Sequence, residues 1–142
     1  MTQEEKQLLL KDLCARAIYR PFVQLKYGAY NKPEIRWLTG VDWPDRVYIN
    51  ADPDYYNIED IKPYLRHMSS MTEKERDELY TAMDWYGEID EAGNVYTKGQ
   101  EKVYRETFYE YTDWLNAHHF DYRGLIPMGL ALEAPEGMYK IE

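Results

Sequence analysis

The sequence predicts an α+β protein: an N-terminal helix on a small antiparallel sheet or SH3-like barrel, followed by an acidic helical lobe. Apolar residues recur at helical spacing before Pro21, and the period changes to two between residues 22 and 58. Helical stretches return after residue 72. The 142 residues fit one domain or two small lobes sharing a core. We expect residues 1–68 to form the helix and sheet lobe, and residues 72–142 the acidic lobe.

The first helix is predicted from its start signal, its apolar stripe and its stop signal. Thr2 followed by Glu5 has the form of a capping box. Pro21 cannot continue a helix, so the helix is expected to end near Tyr19. Its apolar stripe consists of Leu9, Leu10, Leu13, Ala17 and Ile18. Cys14 lies beside this stripe, and we expect it to be a small core residue rather than a reactive thiol.

Alternation of apolar and polar residues predicts three or four short antiparallel strands after this helix. The inward positions of these strands are expected to be Val23, Leu25, Tyr27, Ile35, Trp37, Val41, Val47 and Ile49. Turn-forming residues separate the strands at 28–33, 43–45 and 52–54. Residues 58–65 are expected to hold a last short strand followed by a turn of 3₁₀ helix.

The second half is predicted to contain two helices with a hairpin between them. A second capping box at residues 72–75 opens a helix that is expected to end near residue 85 or 86. A turn sequence within residues 88–97 predicts a small hairpin. The third helix is expected over residues 99–117. Its apolar stripe consists of Tyr104, Phe108, Tyr111, Leu115 and His118.

All of the excess negative charge lies in the second half of the chain. Residues 1–71 carry ten basic and ten acidic side chains, whereas residues 72–142 carry seven basic and sixteen acidic ones. The chain also has fifteen tyrosines and four tryptophans but only three phenylalanines, a bias that suits interfaces. An acidic field favours basic partners. The leading expectation is therefore a non-enzymatic interaction protein whose acidic, Tyr-rich surface docks a basic partner protein.

The densest group of functional side chains lies between residues 114 and 124. The candidate binding residues are Trp114, His118, His119, Tyr122 and Arg123. His118, His119 and Asp121 could ligate a metal, which makes a metal-assisted hydrolase the alternative function. Adjacent helical residues point about 100° apart, however, and the HExxH spacing is absent. A structural role stays open as well, with His118 closing the apolar stripe while His119 and Asp121 satisfy the end of the helix.

Other classes of chemistry lack their signatures. The two serines, Ser69 and Ser70, do not lie in a GxSxG elbow, and no phosphate-binding glycine loop occurs. We therefore assign no catalytic residue, no metal ligand and no cofactor. Because Cys14 is the only cysteine and no apolar run approaches the ~20 residues of a membrane span, we expect a cytoplasmic protein without a membrane segment. A homodimer through the stripe of the third helix stays open.

Single-stranded nucleic-acid binding by the first lobe is a further alternative. The lobe interleaves aromatic residues with the basic residues Lys26, Arg36, Arg46, Lys62 and Arg66, as single-strand binders do. The expected strand phase, however, points Arg36 and Arg46 outward and turns Trp37 inward. The acidic second half also repels phosphate over roughly 8–10 Å, so nucleic acid is a disfavoured partner.

Two blocks of sequence resemble a known group of proteins. Residues 58–66 with 69–72 form one block, and residues 114–126 with 129–135 form the other. Together they resemble a group of uncharacterised small proteins encoded by gut Bacteroides-type bacteria and by their phages or prophages. The resemblance implies a cytoplasmic accessory protein of bacterial or phage origin. It implies no activity, cofactor or catalytic residue.

Overall fold

The computed structural model describes residues 1–27, 32–42, 44–50, 54–82, 87–89, 95–97 and 105–139. Its helices are α1 (Gln3–Arg16), α2 (Glu73–Ala82) and α3 (Arg105–Ala117), with 3₁₀ turns at Ala17–Tyr19, Ile58–Asp60 and Met68–Ser70. Its strands are β1 (Phe22–Leu25), β2 (Glu34–Asp42), β3 (Arg46–Ile49), β4 (Tyr55–Asn57), β5 (Ile61–Leu65), β6 (Gly87–Ile89), β7 (Val95–Thr97) and β8 (Leu132–Glu133). The α+β class is confirmed.

Helix α1 begins at the expected capping box. The Thr2 hydroxyl accepts a hydrogen bond from the Glu5 amide at 3.1 Å, and the Thr2 amide donates to the Glu5 carboxylate at 2.9 Å. The α-helix ends at Arg16, and one 3₁₀ turn continues the chain to Tyr19 before the proline. The predicted start of the helix and the predicted end of the helical segment near Tyr19 are therefore both confirmed.

The buried face of α1 differs from the apolar stripe expected from the sequence. Its buried residues are Leu9, Asp12, Leu13 and Arg16. Ile18 is 77% exposed and Cys14 is exposed, so the expectation that both belong to the core is wrong. The helix is rotated because an ion pair, Asp12 with Arg16, occupies part of the buried face and turns the apolar residues beyond it toward solvent.

Six strands form one sheet in the order β4-β3-β2-β1-β5-β8. The order is linear, so the described residues form an open sheet and no closed barrel. The sheet is mixed rather than wholly antiparallel, because β8 pairs with β5 in parallel. The 3₁₀ turn at residues 58–60 precedes β5 instead of following a last strand, which corrects the expected order.

Pro63 lies inside β5 without breaking the ladder. The Lys26 amide donates to the Asp60 carbonyl at 2.8 Å, which makes the pairs 26–60 and 24–62 the hydrogen-bonded ones. Pro63, opposite Val23, therefore turns its nitrogen away from β1, and β8 begins to pair only at Tyr64. The missing N–H costs no ladder bond at this position.

The expected phase of β2 is wrong. Its register with β3 shifts between Leu38 and Gly40, and this bulge lets both Leu38 and Val41 lie on the inner face. Ile35 and Trp37 consequently lie on the outer face, where they are 50% and 40% exposed. Arg36 lies on the inner face at the edge of the core, where it pairs with Glu34 at 3.0 Å.

The second half of the chain has an apolar cluster of its own. This cluster contains Leu79, Tyr111, Leu115 and Phe120, next to the main core between α1 and the sheet. Strands β6 and β7 form the expected hairpin. Residues 83–86, 90–94 and 98–104, where the end of the second helix, the hairpin turn and the start of the third helix were expected, lie outside the described residues. None of the described helices is both long and apolar enough to cross a bilayer.

Candidate functional site

The site is organised by the way α3 ends. The Phe120 amide donates to the Leu115 carbonyl at 2.9 Å, and the His119 amide donates to the Asn116 carbonyl at 3.1 Å. His119 has φ +65°, so it occupies the left-handed position of a Schellman motif, where glycine is usual. Leu115 and Phe120 supply the apolar contact of that motif. The Schellman turn after α3 therefore sets the direction in which the His119 side chain points.

Arg20 is the second described residue other than glycine with a positive φ, at +49°. A left-handed conformation costs a side chain with a Cβ roughly 1–2 kcal/mol. Arg20 and His119 come from distant parts of the chain, yet both line the same cleft. Strained residues that meet at a concave surface are typical of functional sites.

The cleft has a volume of about 620 Å³. It is lined by Arg20, Phe22, Arg66, Glu75, Glu78, Ala117, His118, His119, Met138 and Tyr139. A smaller cavity of about 270 Å³ shares Arg66 and Tyr139 with it and adds the segment 133–137. The two cavities adjoin at these residues, and we call them together the histidine cleft.

The floor of the histidine cleft is a buried ion pair. Arg66 donates to both carboxylate oxygens of Glu75, at 2.7 and 2.8 Å, and its guanidinium lies 4.1 Å from the centre of the Phe120 ring. The Glu75 carboxylate also accepts hydrogen bonds from the amide and hydroxyl of Thr72, as the second capping box predicts. Burial would raise the pKa of Glu75, but the hydrogen bonds from Arg66 and Thr72 outweigh it and hold this pKa below its ordinary value.

The two histidines of the cleft are stacked on different rings. His118 stacks on Trp114 with centroids 3.9 Å apart, and its Nδ1 lies 4.0 Å from the Glu75 carboxylate. His119 stacks on Tyr139 with centroids 3.8 Å apart, and its Nδ1 is buried without a hydrogen-bond partner. Burial lowers the pKa of His118, and burial together with the nearby charge of Arg16 lowers that of His119 to about 4.

Tyr139 fixes the segment that closes the cleft. Its hydroxyl donates to the Tyr64 carbonyl and accepts from the Phe22 amide, both at 2.8 Å. These two backbone groups stand where β1 and β5 begin to separate, so the hydroxyl replaces the next bond of the ladder. Burial raises the pKa of Tyr139, which keeps the hydroxyl protonated and able to donate.

Two of the five candidate binding residues lie away from the histidine cleft. Arg123 donates to the Asp12 carboxylate at 3.1 Å and to the Tyr122 hydroxyl at 3.0 Å. Asp12 also pairs with Arg16 at 2.8 Å, and Arg16 donates to the Phe120 carbonyl at 2.6 Å. This network ties α1 to the chain after α3. The structure thus brings only His118 and His119 to the cleft lining, with Trp114 stacked on His118 outside that lining, while Tyr122 and Arg123 face α1.

The three residues of the metal-assisted alternative do not converge. Both carboxylate oxygens of Asp121 accept backbone hydrogen bonds, from the Leu125 amide at 2.8 Å and from the Ile126 amide at 3.0 Å. His118 and His119 stack on separate rings. Among the described residues, no three His, Cys, Asp or Glu side chains are arranged to hold a metal ion.

The charge of the histidine cleft favours a cationic ligand. Its ionised lining residues are Arg20, Arg66, Glu75, Glu78, Glu133 and Glu136. With the histidines neutral, two positive and four negative groups give a net charge of −2. Arg66 and Glu75 neutralise each other, which leaves Arg20 with Glu78, Glu133 and Glu136, so carboxylates outnumber cations among the remaining groups. The arrangement can therefore hold a basic side chain between carboxylates and aromatic rings.

Several lining residues carried no sequence signal that pointed to a site. Arg66 and Tyr139 are far apart in sequence and meet only because β5 and the C-terminal segment pack together. Glu75 was recognised as a capping residue, but its pairing with Arg66 was not expected. Left-handed backbone at Arg20 could not be anticipated, because the sequence there offers neither Gly nor Asn.

Comparison with models of protein families gives no match. No curated protein and no solved structure shows significant similarity to the chain either. The function must therefore be argued from the geometry of the histidine cleft and from the surfaces around it.

Proposed function

We propose that this protein is a non-enzymatic interaction protein whose histidine cleft receives a basic segment of a partner protein. The observation that carries the proposal is the cleft itself, a cavity of about 620 Å³ with an adjoining one of about 270 Å³. It combines a net charge of −2 with stacked rings. The proposed role is binding alone, and no bond is broken.

The rim carboxylates would select the charge of the partner. Glu78 on α2 lines the larger cavity, and Glu133 and Glu136 line the adjoining one. A lysine or arginine entering the cleft meets carboxylates whose contacts within the chain are exposed, since Glu78 lies 4.0 Å from Lys74 and Glu133 lies 3.6 Å from His67. Such complementarity speeds the encounter and rejects acidic partners.

The rings of the cleft would supply the contact area. His119 and Tyr139 form one stacked pair, and Phe22 lies beside it with its ring 5.6 Å from that of Tyr139. Positive groups interact favourably with the faces of aromatic rings when water is excluded. The neutral state of His119 at physiological pH follows from its pKa of about 4, so the imidazole does not repel a basic side chain.

The proposal is tested with fluorescently labelled short peptides rich in arginine and lysine, and with matched peptides in which glutamine replaces these residues. Anisotropy measured at low salt should report binding of the basic peptides alone, weakening as salt is added. The variant Glu78→Gln/Glu133→Gln/Glu136→Gln should bind them roughly tenfold more weakly, because each rim contact is worth up to about 1 kcal/mol.

A control variant changes the net charge equally but leaves the cleft intact. Glu4→Gln/Glu73→Gln/Asp77→Asn removes three exposed carboxylates that do not line the cleft. Its affinity for the basic peptides should stay within about twofold of the parent, because none of the three carboxylates lines the cleft and exposed charges are screened by salt. Equal losses in both triple variants would contradict the proposal, since they would show attraction to net charge rather than docking in the cleft.

A further inference from the structure

The outer face of the sheet carries a second set of aromatic rings. Residues paired across antiparallel strands share a face, and the registers place Phe22 with Trp37 and Tyr48 with Tyr55 on the side away from α1. Ile35 shares this side. Trp37 is 40% exposed, and Ile35 and Tyr55 are each 50% exposed. A soluble sheet face usually carries polar residues, so this concentration of exposed rings on three neighbouring strands indicates a binding surface.

The rings stand close enough to act on one ligand. Tyr48 and Tyr55 are directly opposite each other on β3 and β4. Trp37 pairs with Asn50 through two hydrogen bonds at 3.0 Å, which places it one strand over and two residues along from Tyr48. Neighbouring strands are about 4.8 Å apart and two residues span about 6.8 Å, so the three rings follow a diagonal across the sheet.

Positive charge lines the same face. The guanidinium of Arg46 lies 4.7 Å from the centre of the Tyr55 ring, and Lys62 is exposed on β5 opposite Gln24. Lys26 continues the outer face of β1 and lies over the Tyr27 ring at 5.3 Å. Against these three cations, the same face carries Asp42, opposite Arg46, and Asp60, whose carbonyl accepts from the Lys26 amide.

We propose that this outer face binds single-stranded nucleic acid, with bases stacked on Trp37, Tyr48 and Tyr55 and phosphates near Arg46 and Lys62. Aromatic rings interleaved with cations on a small sheet provide sequence-tolerant stacking together with backbone attraction. A purely apolar protein partner would leave the cations without a counter-charge. Stacking requires bases that are free of pairing, which selects a single strand over a duplex.

The net charge of −9 comes entirely from residues 72–142, whereas the strands that carry these rings come from the half of the chain whose charges balance. Helix α1, which contacts α3, packs on the opposite, inner face of the sheet. Charges farther apart than a Debye length of about 8 Å at physiological salt are largely screened.

The test uses fluorescein-labelled oligo-dT and oligo-rU, with a labelled DNA duplex as the comparison. Anisotropy at about 50 mM salt should rise with both single strands and much less with the duplex. With the two cations Arg46 and Lys62 engaged, the logarithm of the affinity should fall against the logarithm of salt with a slope of about −1.4. The two single strands distinguish a preference for DNA from a preference for RNA.

Three variants locate the binding. Trp37→Ala should weaken binding by roughly five- to a hundredfold, as expected for the loss of one stacking ring, whereas Trp37→Phe should restore most of it. Lys62→Gln should make the salt slope shallower by about 0.7. Ile18→Ala and Lys11→Gln are the matched controls, because both residues are exposed on the N-terminal helical segment and should leave binding unchanged.

Three results would overturn the proposal. One is no rise in anisotropy with either single strand at low salt while circular dichroism shows a folded protein. Another is binding that Trp37→Ala and Ile18→Ala leave equally intact. A Trp37→Ala variant that dissociates a homodimer in light scattering, with no effect on oligonucleotide binding, would likewise assign this face to a second copy of the chain.

Discussion

At the scale of single residues, His119 shows how a costly backbone conformation positions a side chain. Glycine at this Schellman position would avoid the strain, yet the chain carries an imidazole there, stacked on Tyr139. The turn alone therefore does not explain the residue at this position, whereas the contacts of the imidazole side chain do. We infer that its orientation into the histidine cleft offsets the local cost.

The pH dependence of stability tests the buried state of His119. Its folded pKa of about 4 lies below the ordinary value of 6.5, so the unfolded chain takes up the proton first as the pH falls. The resulting stabilisation is complete above pH 6.5 and is lost between 6.5 and 4, by about 3 kcal/mol. Urea unfolding at several pH values should show this loss in the parent chain.

The variant His119→Asn provides the control, because asparagine tolerates the left-handed backbone and does not titrate. Between pH 6.5 and 4, the free energy of unfolding should fall less in this variant than in the parent chain. The difference between the two should be most of the loss predicted for His119. His118 is present in both proteins, so its own lowered pKa cancels in the comparison. Identical pH profiles for the two proteins would show that His119 is not buried in the neutral form.

The ion pair between Asp12 and Arg16 is fully buried, with both side chains at 0% exposure. Asp12→Ala should lower the free energy of unfolding by about 3–5 kcal/mol, because Arg16 would remain buried without its carboxylate. Lys74→Ala breaks an exposed pair with the same spacing and should cost less than about 0.5 kcal/mol. Urea denaturation measures both, and a loss below about 1 kcal/mol for Asp12→Ala would contradict this assignment.

At the residue scale the sequence could identify candidate types but not their surroundings. Cys14 and Ile18 fit an apolar stripe, and only the burial of Asp12 with Arg16 turns the helix away from that stripe. A spacing of four between acid and base predicts a surface pair equally well. Burial of the pair depends on contacts with residues more than a hundred positions away, which no local pattern contains.

At the scale of elements, the two capping boxes share a motif but stand in different environments. The Thr2–Glu5 box is exposed, whereas Glu75 of the second box also binds the buried Arg66. Glu5→Ala should cost about 0.5–1 kcal/mol of unfolding free energy, as expected for an exposed cap. Glu75→Ala should cost about 3–5 kcal/mol, because it also leaves Arg66 unpaired. Thermal and urea unfolding measure both losses. Equal losses of unfolding free energy in the two variants would show that the ion pair of Glu75 with Arg66 does not contribute to stability.

The hydroxyl of Tyr139 joins two strands that would otherwise separate. Tyr139→Phe keeps the ring and leaves the Phe22 amide and the Tyr64 carbonyl without their partner. The expected cost is about 1–3 kcal/mol, with faster hydrogen exchange at the Phe22 amide. Tyr27→Phe, at an exposed position, should change neither quantity. Unchanged exchange at Phe22 in the Tyr139→Phe variant would contradict this role.

Elements with local signals were predictable, and those that depend on distant partners were not. The starts of α1 and α2 and the β6–β7 hairpin follow from caps and turn residues. A short strand was expected within residues 58–65, but its place after the 3₁₀ turn was not, because Pro63 argues against a strand unless its neighbours are known. Strand β8 spans two residues and exists only because β5 offers it an edge. Simple alternation predicts the wrong inward and outward positions in β2, because it does not anticipate the bulge in this strand.

At the scale of the whole molecule, the two proposed binding surfaces differ in electrostatic character and adjoin at Phe22, which lines the cleft and pairs with Trp37 on the outer face. The histidine cleft has a net charge of −2, while the outer face of the sheet exposes rings beside Arg46, Lys62 and Lys26. The sequence divided the chain into a neutral half and an acidic half, which anticipates this contrast. It could not place either surface, because each is assembled from several strands or segments. Together they fit a protein that links a basic partner to a single strand.

The central claim, docking of a basic segment in the histidine cleft, is tested most directly by hydrogen–deuterium exchange with and without a saturating Arg- and Lys-rich peptide. We expect slower exchange in residues 66–79, 117–120 and 133–139, which surround the cleft, and no change in β3 and β4. Protection confined to other parts of the chain, or no protection at a peptide concentration that saturates binding, would contradict the claim.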